Sequence, residues 1–334
     1  MDNLKIWLLN SPYQDEDLLG RKVREYVERE FENLACEYVD DVSEVHPVGV
    51  SVVLPLSCPL VTLHDVQRVV KSMKLRGVRR VNFRSSSAYI VRENVCGEEI
   101  FADNSAFFEI SDAKSFCLVY NIFKDRIVAR HLANGVLIFD RATTFVDDTV
   151  EIGRGAKILP FCRIEGRSVV ESGATISASY MRDSTVRAGA QVESSHVVDS
   201  VIGENATIGP FARLRGANVG RGCRIGDFVE VKASTIGDGT KSAHLTYIGD
   251  ATVGERTNVG CGTVFCNYDG KTKHKTTVGS DCFIGANVNL VAPINIGDDC
   301  FVAAGTTISQ DLADGTFAIG RAIAKTQLNT HKNN

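Results

Sequence analysis

The stretch Val278–Ile308 reads VGSDCFIGANVNLVAPINIGDDCFVAAGTTI, and in it Val278, Ile284, Leu290, Ile296, Val302 and Ile308 stand six apart. Glycine directly follows three of them, as Gly279, Gly285 and Gly297. A period of six fits neither an α-helix nor one strand. It fits a chain that turns a corner every six residues, three short strands to a triangular coil, with one aliphatic side chain per strand pointing at the axis. The spacing therefore predicts a parallel β-helix built from hexapeptide repeats. Such a coil buries its core only by stacking on its neighbours, so the repeat sets the architecture of a whole region.

Upstream, Ile152, Ile158, Ile164, Val170 and Ile176 form one run, and Ile202, Ile208 and Leu214 a second. Ile225 and Val231 form a third, and Val253, Val259 and Phe265 a fourth. The frame slips by one at Val219 and Ile236. It breaks at Cys266–Thr277, CNYDGKTKHKTT, a polar and basic insertion of the kind a solenoid uses as a binding loop.

The chain has 334 residues, 44% hydrophobic, with a net charge of −4, which suits two globular domains. It has no basic block, so nucleic acid is not an expected partner. No apolar run approaches the ~18 residues that span a bilayer, and MDNLKIWLLNSPYQDED does not read as a secretory signal. Membrane association is therefore not expected. Ten scattered cysteines without a C-x-x-C pair read as reduced thiols of a cytoplasmic protein, and no zinc spacing surrounds them.

Residues 1–135 have another texture. LKIWLL, VSVVLPL and VRRVNF read as strands. Leu18–Leu34 and Leu63–Leu75 have helical periodicity, which together predicts a small α/β layer domain. A third helix over Ser111–Leu132 ends at Asn134-Gly135 and connects to the β-helix, which starts near Val136. The expected boundaries are 1–110 for the α/β domain, 111–135 for the connecting helix, 136–320 for the β-helix and 321–334 for a tail.

Several strings in the solenoid are distinctive: GPFARLR (Gly209–Arg215), IGDFVEVK (Ile225–Lys232), STIGDGTKSAHLTYIGDATVGE (Ser234–Glu255), TNVGCGTVFCNYDGKTKHKTTVG (Thr257–Gly279), FIGANVNLVAP (Phe283–Pro293) and FAIGRA (Phe317–Ala322). With DRIVARHLANGVLIFD, they make roughly residues 126–322 closely resemble the C-terminal domain of a bacterial family. It is the bifunctional N-acetylglucosamine-1-phosphate uridyltransferase/glucosamine-1-phosphate N-acetyltransferase. The resemblance implies a mainly β protein, a left-handed parallel β-helix assembled as a homotrimer, with active sites between subunits. It also implies transfer of acetyl from acetyl-coenzyme A to the amine of glucosamine 1-phosphate. That product feeds UDP-N-acetylglucosamine synthesis for peptidoglycan and lipopolysaccharide.

The residues suit that chemistry. A protonated amine needs a base before it can attack a thioester, and His244 matches the family's catalytic histidine. Arg215, Lys232 and Lys275 match positions on the sugar phosphate, with the Tyr247 hydroxyl and Asn258 amide beside them. Asn267 and Tyr268 match residues at the acetyl-coenzyme A and acceptor end. Cys261, Ala286, Ala304 and Arg321 match cofactor positions. Cys261 usually corresponds to an alanine that offers backbone contacts, and direct transfer to an amine needs no catalytic thiol.

Two departures bear on the cofactor. Ala286 stands where the family commonly has serine, losing a hydroxyl contact on the order of 0.5–1.5 kcal/mol. The tail IAKTQLNTHKNN is also shorter than the family's arm. A third departure is larger. The family's uridyltransferase half has a glycine-rich phosphate loop, and nothing like it occurs here. Where that half has a metal-binding aspartate, this chain reads Leu56-Ser57-Cys58-Pro59-Leu60, so no Mg²⁺ site is expected. Residues 1–110 resemble a shortened, degenerate nucleotidyltransferase domain, with an unrelated α/β cap as the alternative. The expectation is an acetyltransferase without uridyltransferase activity, with a separate uridyltransferase as a candidate partner. A bifunctional enzyme, another hexapeptide acyltransferase and a non-catalytic sugar-phosphate-binding scaffold are the other readings.

Overall fold

The computed structural model describes residues 4–320, 324 and 326. The chain divides into two compact units, 1–127 and 128–334.

The first unit is an α/β layer. Its strands are β1 (Leu4–Leu9), β2 (Cys36–Val39), β3 (Val50–Pro55), β4 (Val78–Phe83), β5 (Tyr89–Arg92) and β6 (Glu98–Ala102), in the order β2-β1-β3-β5-β4-β6. Strand β5 runs antiparallel to β3 and β4, and the other pairs are parallel. Helices α1 (Val23–Phe31) and α2 (Leu63–Arg76) bury Val27, Phe31, Val66 and Met73 in one cluster with Ile6, Val52, Leu54 and Ile90. Helix α2 starts on a reciprocal cap, with the Thr62 side chain accepting from Asp65 N–H and Asp65 accepting from Thr62, and stops at Gly77, whose φ of 67° favours glycine. The unit boundary falls within α3 (Ala113–Ala133).

The second unit is a parallel β-helix. Among the described residues its three faces hold eleven, ten and nine short strands. The first face runs from Leu137–Ile138 to Phe317–Ala318, the second from Phe145–Val146 to Thr307–Ile308, and the third from Glu151–Ile152 to Ile294–Ile296. All the aliphatic residues of the six-residue runs are buried, from Ile152 to Ile308. Burial of each such side chain contributes about 1.5–3 kcal/mol before the entropy of ordering is subtracted.

The coil is shorter than three hexapeptides over much of its length. Ile208, Ile225, Ser242 and Val259 pair in sequence across successive coils of 17 residues. Between Ile176 and Ile202 the residues that continue the core register are Met181, Val186, Val192 and Val197, spaced five, five, six, five and five. In each five-residue step the second residue past the core position adopts left-handed backbone, Ala178, Asp183, Ser194 and Asp199 having φ of 44–49°; six-residue steps also carry one left-handed residue, as at Phe161 and Asn205. Buried serines then stitch the coils. Ser184 Oγ accepts from Ser200 N–H (3.1 Å) and Ser200 Oγ from Ala217 N–H (3.0 Å). The coil from Val259 to Ile284 takes 25 residues, because it contains the 266–277 insertion.

Candidate active site

The register sorts the candidate residues into columns around the corner between the first and second faces. His244, Cys261, Ala286 and Ala304 each lie two positions beyond a first-face core residue (Ser242, Val259, Ile284 and Val302), in four successive coils. They form one corner column. Asp227 belongs to it one coil earlier, paired with His244, and its Oδ2 lies 3.8 Å from His244 Nδ1. The imidazole is 56% exposed, so it is open to a ligand. The backbone along the column is tied coil to coil: the carbonyl of Cys261 accepts from Asn287 N–H, and that of Ala286 from Gly305 N–H, both at 2.8 Å. Small side chains there leave the corner uncovered.

On the second face, Arg215, Lys232 and Gly249 share one outward column, and Glu230 and Tyr247 the adjacent one. Arg215 forms an ion pair with Glu230, and its buried Nε has no hydrogen-bond partner. Lys232 Nζ lies 3.6 Å from Asp250 Oδ2. Asn267, only 7% exposed, donates from Nδ2 to Asp250 Oδ2 (2.5 Å) and to the Tyr247 hydroxyl (3.4 Å). The Tyr247 ring lies flat over Gly249, where an added Cβ would meet its hydroxyl at 2.4 Å. Only glycine lets the ring reach across to Asn267.

The insertion is a small hairpin held by Asp269. Its carboxylate accepts from Lys271 N–H (2.8 Å), Thr272 N–H (2.7 Å) and the Thr272 hydroxyl (3.1 Å), and pairs with His274 Nε2 (2.7 Å). The Thr272 amide, then His274, hold Asp269 far below the usual carboxylate range. The hairpin pairs Tyr268 with Lys273 and brings the Lys273 amine against Lys232. Accepting from the Lys232 ammonium, and repelled by it, Lys273 is held below its ordinary value.

The structure thus gathers Arg215, Lys232, Tyr247 and Asn267 on the second face, and His244, Cys261, Ala286 and Ala304 along the corner. Asn258 is on the first face, between Lys241 and Phe283. Tyr268 is exposed on the hairpin. Lys275 lines an open groove of about 740 Å³ with Arg187, Asp199, Asn218 and Asp250. Arg321 lies outside the described residues. Asp227, Glu230, Asp250 and Lys273 were not singled out in the sequence, although a 17-residue step from His244 or Tyr247 reaches the first two.

This architecture defines a hexapeptide-repeat β-helix protein. Residues 275–310 match the family described as hexapeptide repeat of succinyl-transferase. Residues 163–254 match the family described as GlmU-like, C-terminal hexapeptide, which bears out the resemblance read from the sequence strings. The bifunctional protein GlmU of Caldanaerobacter subterraneus subsp. tengcongensis is 44% identical over 227 residues, 67% of this chain and 48% of that protein. The bifunctional protein GlmU of Staphylococcus haemolyticus is 42% identical over 238 residues, 70% of this chain and 52% of that protein. The chain spans about half the length of these curated relatives. Among solved structures, LpxA, a UDP-N-acetylglucosamine acyltransferase from Bacteroides fragilis, is 19% identical, with a TM-score of 0.40 over 54% of this chain and 70% of that one.

Proposed function

We propose that this chain acetylates the amine of glucosamine 1-phosphate, using acetyl-coenzyme A, and works as a homotrimer in the cytoplasm. The observation that carries the reading is the juxtaposition of a base and a pair of cations: His244 stands at the corner, and Arg215 and Lys232 lie in register on the adjoining face. The cations suit a sugar phosphate, which holds the amino sugar in place. His244 takes a proton from the ammonium, so that nitrogen carries a lone pair. Nitrogen then bonds to the acetyl carbon while the carbon–sulfur bond breaks. When bound, acetyl-coenzyme A supplies the activated thioester; its sulfur leaves as a thiolate and takes up the second proton that the acylated nitrogen gives off, so that it departs as a thiol. The small residues Cys261, Ala286 and Ala304 would hold it along the open column.

His244→Ala should lower kcat by about 10²–10⁴-fold while the trimer persists. Unchanged turnover in that variant would reject His244 as the base.

We also infer that the chain alone makes no UDP-N-acetylglucosamine from UTP. Open α/β sheets bind ligands at the carboxyl ends of their strands. Here those ends are engaged: Leu56 N–H donates to the Leu9 carbonyl (2.9 Å), Ser57 N–H to Ser11 Oγ (2.9 Å), and the Ser57 hydroxyl to Glu109 (3.3 Å). Product formed by the purified chain with UTP, Mg²⁺ and N-acetylglucosamine 1-phosphate would overturn this inference.

A further inference from the structure

The corner column holds one nucleophile that the acetyl-transfer reading leaves unused, the thiol of Cys261. Asp227, His244 and Cys261 occupy the same position of three successive coils. Their backbones follow one another at the strand spacing of about 4.8 Å, and side chains on adjacent rungs of such a column are neighbours. Asp227 Oδ2 lies on the Nδ1 side of the His244 ring, at 3.8 Å. A carboxylate there favours the tautomer with its proton on Nδ1 and leaves the Nε2 lone pair facing away from Asp227. Carboxylate, imidazole and thiol thus stand in the order that activates a nucleophile: an orienting acid, a base and the group it deprotonates.

The thiol is open. Cys261 is exposed, and among the described residues its Sγ has no hydrogen-bond partner. Gly260 and Gly262 flank it and carry no side chain to cover it; a Cβ at Gly260 would stand 2.6 Å from the Ala286 nitrogen of the next coil. The other cysteines of the solenoid differ. Cys223, Cys282 and Cys300 are buried, with Sγ against backbone carbonyls at 3.0, 3.1 and 3.2 Å. Burial pushes up the thiols of Cys162, Cys223, Cys266 and Cys282.

We propose that Cys261 is a second acyl acceptor with His244 as its base, so that the site exchanges acetyl between coenzyme A molecules through an S-acetyl thioester on the chain. This rests on the reading that places acetyl-coenzyme A along the corner column. His244 takes the proton of the Cys261 thiol. The Cys261 sulfur bonds to the acetyl carbon, the bond from that carbon to the coenzyme sulfur breaks, and His244 returns the proton to the departing thiolate. One thioester forms for each one broken, so no further reactant is needed, and a free coenzyme A thiol takes the acetyl group back by the reverse path. Transfer to the sugar amine stays direct; the thiol serves when no amine is bound.

The test incubates the full chain with acetyl-coenzyme A and isotopically labelled coenzyme A, without amino sugar. It reads the label that passes into acetyl-coenzyme A and, by mass spectrometry of peptides, the cysteine that carries acetyl. In wild type, label should exchange, and acetyl should sit on Cys261 rather than on Cys96 or Cys117, which are also exposed. His244→Ala should slow both by about 10²–10⁴-fold, the value of a positioned base. Cys261→Ala introduces the side chain that the column already carries at Ala286 and Ala304, and it should bring exchange down to the background of a chain-free mixture. Wild type that acetylates glucosamine 1-phosphate but shows neither exchange nor acetyl on Cys261 overturns the proposal and leaves the acetyltransferase reading standing. Exchange undiminished in either variant, or acetyl spread evenly over the three exposed cysteines, overturns it too. Exchange that depends on Cys261 and His244, in a chain that does not acetylate glucosamine 1-phosphate, would support the proposal and sink that acceptor.

Discussion

Asp250 joins the hairpin to the second face, and its removal gives a test that does not depend on turnover. Its Oδ2 is the acceptor for the nearly buried Asn267 amide at 2.5 Å and faces Lys232 at 3.6 Å. Asp250→Ala leaves that amide with only the long 3.4 Å contact to Tyr247. A buried donor stripped of its acceptor costs about 1–3 kcal/mol. The partly exposed Lys232 pair adds less than about 1 kcal/mol. For a unit of about 200 residues each kcal/mol moves Tm by roughly 2–4 °C, so the expected fall is about 2–16 °C. Asp250→Asn keeps an oxygen in place for Asn267 and loses only the charge, so its fall should be less than half as large. Thermal unfolding followed by circular dichroism measures both. An Asp250→Ala chain that melts within 1 °C of wild type, or an Asp250→Asn chain that is equally destabilised, would refute the idea that the Asn267 amide depends on this carboxylate.

Two further expectations are independent of that one. Arg215→Ala should cost roughly 1.5–3 kcal/mol in kcat/KM for glucosamine 1-phosphate and little for glucosamine, and equal losses for both acceptors would make Arg215 structural. His131 is 4% exposed and its Nε2 is unpartnered; burial, then the Arg130 charge, lower its pKa to about 4 from 6.5. The unfolded chain therefore takes up this proton first, so stability is full above about pH 6.5 and is lost as pH falls toward 4. The loss, discounted for partial solvation, is on the order of 2 kcal/mol, and urea unfolding of His131→Phe should lack that share of the pH dependence.

The β-helix was legible where its corners are six residues long, because Val278 to Ile308 repeat without slippage. It was opaque between Ile176 and Ile202. There four of the five steps between core residues are five long, which destroys the period, and Ala178, Asp183, Ser194 and Asp199 rather than glycine take left-handed backbone at those short corners. The site divides in the same way. His244 and Tyr247 stand in a distinctive string, whereas Asp227, Glu230 and Asp250 act across coils. Their partners lie 15 to 18 residues away in the sequence, and acids on an exposed face look like ordinary solvated charges until the register is known.

The corner column is also a ruler. From His244 to Ala304 it advances three coils, about 14 Å, with one mark at each strand spacing. An extended ligand laid along it is gauged by length as well as by chemistry, since each mark is a backbone position rather than a mobile side chain. Excising one whole coil between Cys261 and Ala304 would close the sheets again and preserve the core, yet shorten the scale by one graduation. If the proposed site lies along this column, the number of coils would set its reach.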